Sequence, residues 1–278
     1  MPCDFAENFY RMRTYWKVAL LGWQDSLVYR FNALVWVLYA VVPSLTLMLV
    51  WLAAYENRPG GEVGGFDLSQ MMTYYLFVTA LSVAITPHPE WDIATTIRDG
   101  KLTPYLVRPL SYFFYRLAWE SSYQIVKTAM MLPAFGLIWW FFREYIALPS
   151  LSLPEWAAFF AATLGAYLLL SQIKFLLGIS AFWVLEPGGF MEIYNVVSGL
   201  FAGRLLPLAL LPTWAQTVAN ALPFAILYAF PMQILQGQAT SETLIWGFAR
   251  QIFWLAALSL LVTWTWRRGL LRYESVGG

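Results

Sequence analysis

Charged residues fall in clusters along this chain and leave long apolar runs between them. Residues 31–54 carry no charge over 24 positions, which is about 36 Å of helix at ~1.5 Å per residue and more than a hydrocarbon core of ~30 Å requires. Residues 68–87 are also uncharged, with Asp67 placed to cap a second helix and Pro87 to stop it. A third run, 117–142, is interrupted by Glu120 and Lys127, and a fourth, 156–185, by Lys174. The last, 244–266, ends at Arg267 and Arg268.

Between the fourth and last runs, residues 205–241 hold 37 positions without a charge but contain Pro207, Pro212, Pro223 and Pro231. That is too long for one crossing and too broken for two straight ones. Lys and Arg cluster before the first run (Arg11, Arg13, Lys17, Arg30), between the second and third (Arg98, Lys101, Arg108, Arg116) and after the last (Arg267, Arg268, Arg272). The positive-inside rule puts all three clusters in the cytoplasm, so both termini lie inside and the number of crossings is even. Six crossings follow if 190–206 is the fifth and 207–241 enters the outer leaflet and turns back; eight would also fit. Irregular backbone at membrane depth survives only under protein cover, which favours six with a re-entrant helical hairpin. The outside loops then carry only Arg58 and Arg143. Residues 1–30 mix Phe5, Phe9, Tyr10, Trp16, Leu20, Trp23 and Leu27 with Arg11, Arg13 and Lys17, the make-up of a helix lying in the cytoplasmic interface.

Composition agrees with a lipid setting. Of 278 residues 60% are hydrophobic and 12% charged, about half the charged share of a soluble domain. A net charge of +1 gives no general attraction for nucleic acid. Cys3 cannot form an internal disulfide, and His88, the single histidine, cannot by itself assemble a metal site and reads as the start of a helix. The N-terminus lacks the basic flank and apolar core of a cleaved leader, so residues 1–278 are expected to be mature protein in one transmembrane domain. The Gly-rich stretch 57–65, "NRPGGEVGG", lacks the closing Lys-Ser or Lys-Thr of a phosphate-binding loop.

One segment departs from the apolar pattern. In 88–116 the stretch "WDIATTIRDGKLTPYLVRPL" holds five charges and two prolines between two lipid-embedded runs. Pro89 suits a first helical position, Glu90 and Asp92 favour the positive helix end, Arg98 the negative end, and Gly100 a left-handed stop, which predicts a helix of about eleven residues. Ile93 and Ile97 share a face with Trp91 and Ala94 beside them, available to dock into something. Thr103 and Pro104 start a second short element, and Pro109 closes it. The stretch resembles the cytoplasmic loop of ABC transporter permeases of the type-2 exporter class, in the bacterial branch with paired permeases. The matching residues are Trp91, Ile93, Gly100, Lys101, Leu102, Leu106, Arg108, Pro109 and Leu110. Further matches lie in "LPF" at 222–224 and in the tail "RRGLLRYESVGG" at 267–278.

The resemblance implies an all-α integral membrane protein with six crossings, a cytoplasmic coupling helix and an extracellular re-entrant element before the last crossing. It also implies a dimer of permeases, the second a different homologous chain, on a dimer of cytoplasmic ABC ATPase subunits in the bacterial inner membrane. Glu90, Trp91, Ile93, Ile97, Arg98, Gly100, Lys101, Leu102, Arg108 and Pro109 become the residues expected to meet the ATPase. No G-x-x-x-x-G-K-[ST] occurs in the chain, so ATP and Mg are expected on the partner, and no cofactor, metal or catalytic group in this chain.

Lys127 and Lys174 interrupt apolar helices, where a central charge costs on the order of 3 kcal/mol. Snorkelling to lipid headgroups is the first account; lining a substrate path, or pairing with Glu120 or Glu192, is the second. Glu192 and Arg204 bracket the fifth run and invite pairing or substrate contact. Gly199 and Gly203 form a G-x-x-x-G suited to a seam between permeases. The expected cargo is a lipid-like, drug-like or other amphiphilic compound. A membrane-embedded lipid-modifying enzyme would need converging polar groups, and an ion-coupled carrier inverted repeats with several buried carboxylates; neither pattern is visible.

Overall fold

The computed structural model describes residues 3–28, 30–56 and 61–273, without the side chains of 3–11, 30–34, 36 and 37. The side chains of Cys3, Phe5, Phe9, Tyr10, Arg11 and Arg30, the loop residue Arg58 and the tail beyond Tyr273 lie outside the described residues. Regular structure among the described residues is helical, apart from one isolated bridge between Val63 and Phe66. In chain order the helices are α1 (Cys3–Val28), α2 (Arg30–Glu56), α3 (Leu68–Ile85), α4 (Glu90–Arg98), α5 (Thr103–Leu106) and α6 (Tyr112–Phe142). There follow α7 (Leu153–Ile179), α8 (Gly188–Phe201), α9 (Thr213–Ala221), α10 (Ala229–Leu235) and α11 (Ser241–Leu270).

Five segments are long and apolar enough to cross a membrane: Leu38–Glu56, Leu68–Arg98, Tyr112–Phe142, Leu153–Phe182 and Ser241–Leu270. The second is the hub, 56% buried where the first, third and fifth are 22%, so its side chains meet protein while theirs face outward. Reciprocal hydrogen bonds start α3, with the Gln70 amide donating to Asp67 Oδ1 (2.7 Å) and the Asp67 amide to Gln70 Oε1 (3.0 Å). Ser152 and Glu155 do the same for α7. These boxes satisfy amide groups that the first turn would otherwise leave without partners.

Side-chain bonds fix the directions. Tyr55 donates to the Phe66 carbonyl (2.6 Å) and Ser44 to that of Tyr75 (3.3 Å), so α2 and α3 run antiparallel. Gln251 donates to the Ala162 carbonyl (2.9 Å) and Gln172 to Ser259 Oγ (2.7 Å), so α7 and α11 run parallel. One end of the bundle carries the start of α3; the other, here the loop end, carries α4 and α5. Helix α1 packs along the first turns of α6, with the Ser111 amide donating to Tyr15 OH (3.0 Å) and Gly22 close against the Trp119 backbone.

The run 190–206, expected as a crossing, is not among the five. Helix α8 has 14 residues, about 21 Å, and Gly203 at φ 85° turns the chain out of it. The hydroxyl of Tyr74 donates to the Gly203 carbonyl and that of Tyr75 to the Leu205 carbonyl (2.9 Å), pinning the turn to the hub. Even so, α8 climbs from Gly188, beside Trp91 at the loop end, to the level of the second turn of α3. The G-x-x-x-G reading needs correction for the same reason: Gly203 lies past the helix end against Tyr74 and Ala229, and Gly199 faces Leu205 of its own chain. Neither glycine is left free for a second permease.

Residues 207–241 fold as a hairpin of α9 and α10. Leu210 lies against Gly64, and Gln236 donates to the Gln70 carbonyl (3.3 Å), so both of its ends sit near the start of α3. Its tip reaches inward, where Tyr228 OH bonds Thr86 Oγ1 (2.7 Å) and Gln251 donates to the Ile226 carbonyl (3.2 Å). Protein therefore covers the irregular backbone of 225–228, which would otherwise be left without partners in an apolar medium.

Candidate functional site

Local signals build the loop end. Helix α3 stops at Ile85 because Pro87 and Pro89 follow, and α4 begins at Glu90 with Pro89 before it and Glu90 and Asp92 in its first turn. It has 9 residues, two fewer than expected, and ends in a left-handed turn at Gly100 (φ 69°). There the amides of Asp99, Gly100 and Lys101 bond back to Thr95, Ile97 and Thr96. Helix α5 starts one residue earlier than Thr103 suggested, with Leu102 at the cap.

The first correction at this site concerns which face of α4 is free. Ile93, Ile97 and Leu102 are fully or almost fully buried, in a cluster with Tyr112, Phe175, Ile179 and Val262 of their own chain. They are the loop's anchors and have no surface left for a partner. Gly178 makes that approach possible: a β-carbon there would lie 2.8 Å from Ile93 Cβ. Gly178→Val is expected to lower stability by about 1–3 kcal/mol through overpacking, visible as a lower unfolding midpoint in detergent. Of the residues expected to meet the ATPase, Glu90 is also buried, while Trp91, Arg98, Lys101, Arg108 and Pro109 remain exposed, with Gly100 partly so. Outside the membrane-spanning segments, the hydrogen bond from Lys101 (2.9 Å) holds the Asp99 carboxyl below its usual range.

The second correction concerns the intramembrane lysines. Lys174 is 1% exposed and donates to Glu90 Oε1 (2.7 Å), itself 0% exposed, and to Asn195 Oδ1 of α8 (3.1 Å). Its ammonium also lies 5.2 Å from the Tyr194 ring centre. Lys127 is buried and donates to the Thr86 carbonyl (3.2 Å) at the C-terminal end of α3, where a cation meets the negative helix pole. Neither snorkels, because each finds an acceptor within the bundle at its own depth. Among the described residues neither makes an ion pair with Glu120 or Glu192, although Lys127 lies within the field of the Glu120 charge. Arg116 takes Glu120 (3.1 Å) and Asp92 (3.0 Å), while Glu192 is exposed on α8. Among the described residues Glu192 and Arg204 make no ion pair with each other, and twelve residues separate them along a helix and a turn.

The loop is thus tied to the bundle at four places. Glu90 bonds Lys174 of α7, Asp92 bonds Arg116 of α6, Arg98 bonds Glu186 before α8 (2.9 Å), and the Leu102 amide donates to Tyr273 OH in the tail (2.9 Å). His88 Nδ1 lies 3.5 Å from Glu90. Sequence reasoning missed Asn195, Glu186 and Tyr273 as partners, and no local pattern marks them. Arg116 and Glu120 did carry a signal, opposite charges four apart on a helix.

The contact of Leu102 with Tyr273 brings together the loop and the tail, the two segments that carry the resemblance. Residues 41–277 match the family described as ABC-2 family transporter protein. The chain belongs to that family. It is an integral membrane protein and a permease component of an ABC transporter, and the family implies association with an ABC ATPase. No curated protein and no solved structure matches it.

Proposed function

We propose that this ABC-2 permease is the transmembrane half of an exporter that moves an amphiphilic compound out of the cytoplasm or inner leaflet, with ATP and Mg on separate ATPase subunits. In this reading the loop end faces the cytoplasm of a bacterial cell, both termini lie there, and α8 with its turn makes the fifth of six crossings. The α9–α10 hairpin is re-entrant from outside, and a second, homologous permease completes the path.

The observation that carries the reading is the asymmetry of α4. Its inner face is locked to α6 and α7 and the turn after it to the tail, while its outer face offers Trp91 and Arg98, with Lys101 and Arg108 exposed on the segment that follows. A force applied to that outer face would pass through Glu90 to Lys174 on α7 and Asn195 on α8, which are bonded in series. Nucleotide state on the partner would then bias inward- and outward-open arrangements of these helices.

Affinity isolation in mild detergent, with identification of everything bound, tests this. A stoichiometric soluble ATPase and a second permease are the expected companions. Recovery of the chain with no ATPase would end the proposal and reopen the enzyme and carrier readings.

A further inference from the structure

A cavity of about 330 Å³ opens between the start of α6, the end of α7 and the last turns of α11, with α5 forming one wall. It is separate from the ion pairs around Lys174. Aromatic and aliphatic side chains make most of it: Tyr105, Tyr112, Phe175, Val262 and Trp266, the last stacked on Tyr112 with ring centres 5.4 Å apart. Besides Ser111, Thr263 and the tyrosine hydroxyls, its polar groups lie towards its two ends. At one end is Arg267, exposed in the last turn of α11. At the other are buried Gln172 of α7 and exposed Ser259 of α11, bonded to each other at 2.7 Å. Gln172 Oε1 is buried there with no hydrogen-bond partner. Such an acceptor carries a desolvation cost until a donor reaches it.

Ser259 and Arg267 are eight residues apart on one helix, about 12 Å. The apolar lining runs along α11 between these two residues as a groove able to take a hydrocarbon chain. It falls in the size range of small-ligand sites, with an apolar lining and few polar groups to fix orientation. An arginine at the end of a membrane helix attracts anionic headgroups.

We propose that this cavity binds a single-chain anionic amphiphile from the leaflet on the loop side. Arg267 holds the head, the chain lies along Tyr112, Val262 and Trp266, and a donor group on the chain satisfies Gln172 Oε1. Because α5 of the loop forms a wall, occupancy would also be felt by the coupling element; that last clause rests on the exporter reading, and the binding does not.

The test uses the full chain in nanodiscs of neutral phosphatidylcholine with two photoreactive probes, a diazirine fatty acid bearing a hydroxyl along its chain and the corresponding fatty alcohol with the same chain hydroxyl. Cross-linked peptides are mapped by mass spectrometry. The acid is expected to label peptides covering 105–114 and 259–267 at least five-fold above the alcohol. Arg267→Gln should bring the acid down to the alcohol's level without changing the alcohol. Val262→Trp, which fills the groove, should remove both signals there, and Thr263→Phe repeats the blockade from a more exposed wall should the first variant fold poorly. Equal labelling by acid and alcohol in the unmodified chain would overturn the headgroup assignment. Labelling spread along the lipid-facing helices and indifferent to a folded blocking variant would overturn the site. No nucleotide enters this measurement, so its failure leaves the exporter reading standing, and absence of an ATPase in the isolation experiment leaves the cavity result standing.

Discussion

Replacing Lys174 by methionine is expected to lower the stability of the folded permease by about 3–5 kcal/mol, the range for removing one partner of a buried ion pair. The substitution leaves Glu90 fully buried beside an apolar side chain, with its closest donor gone and α8 losing the bond at Asn195. The size follows from desolvation rather than from the attraction itself. Taking a carboxylate out of water costs several kcal/mol, and at this position Lys174 at 2.7 Å and His88 Nδ1 at 3.5 Å offset it. The paired change Glu90→Gln with Lys174→Met should recover most of the loss, since no unpaired charge is left behind. Thermal unfolding in detergent of the two single variants and the double one gives the coupling energy directly. A Lys174→Met protein within about 1 kcal/mol of the parent would show that the pair is solvated in the working protein, and the force path through α7 would have to be given up.

The contrast between what was legible in the sequence and what was not has a physical basis. The long apolar runs declared α2, α3, α6, α7 and α11 because crossing a bilayer demands unbroken length, and length is written locally. Asp67 declared the start of α3 for the same reason: a capping box is closed by Gln70, three residues away. The face of α4 was different. Ile93 and Ile97 were visible as a stripe, but whether a stripe meets its own chain or another depends on what folds opposite. Here that was Gly178 and Phe175, some eighty residues further on. Lys174 shows the limit most clearly. A lone lysine in an apolar helix has the same local pattern whether it reaches for a headgroup or for Glu90, and 84 residues separate the partners. Helix α8 shows the same limit, since residues 190–206 read as one run, yet the turn that ends the helix after Phe201 is set by Gly203 and two tyrosines of the distant α3.

The two aromatic and aliphatic landmarks of α4 therefore call for opposite outcomes. Ile93→Ala removes a side chain that is 0% exposed and should cost about 2–5 kcal/mol in unfolding free energy, as core truncations do. Any fall in ATPase stimulation should track the loss of folded protein. Trp91 is 47% exposed, with the edge of its ring beside Gly188, so Trp91→Ala should lower the unfolding midpoint far less than Ile93→Ala. Exposed tryptophans that anchor an interface contribute about 2 kcal/mol or more to it, which corresponds to roughly a thirty-fold weaker hold on the ATPase at about 1.4 kcal/mol per factor of ten. The readouts are the amount of ATPase retained by the purified permease and the substrate-stimulated hydrolysis per retained ATPase. If Trp91→Ala retains the ATPase and its stimulation in full, the outer face of α4 is not the contact. The exposed cations on the far side of Gly100, Lys101 and Arg108, would then be the surface to probe, because they are what the anchored loop still presents.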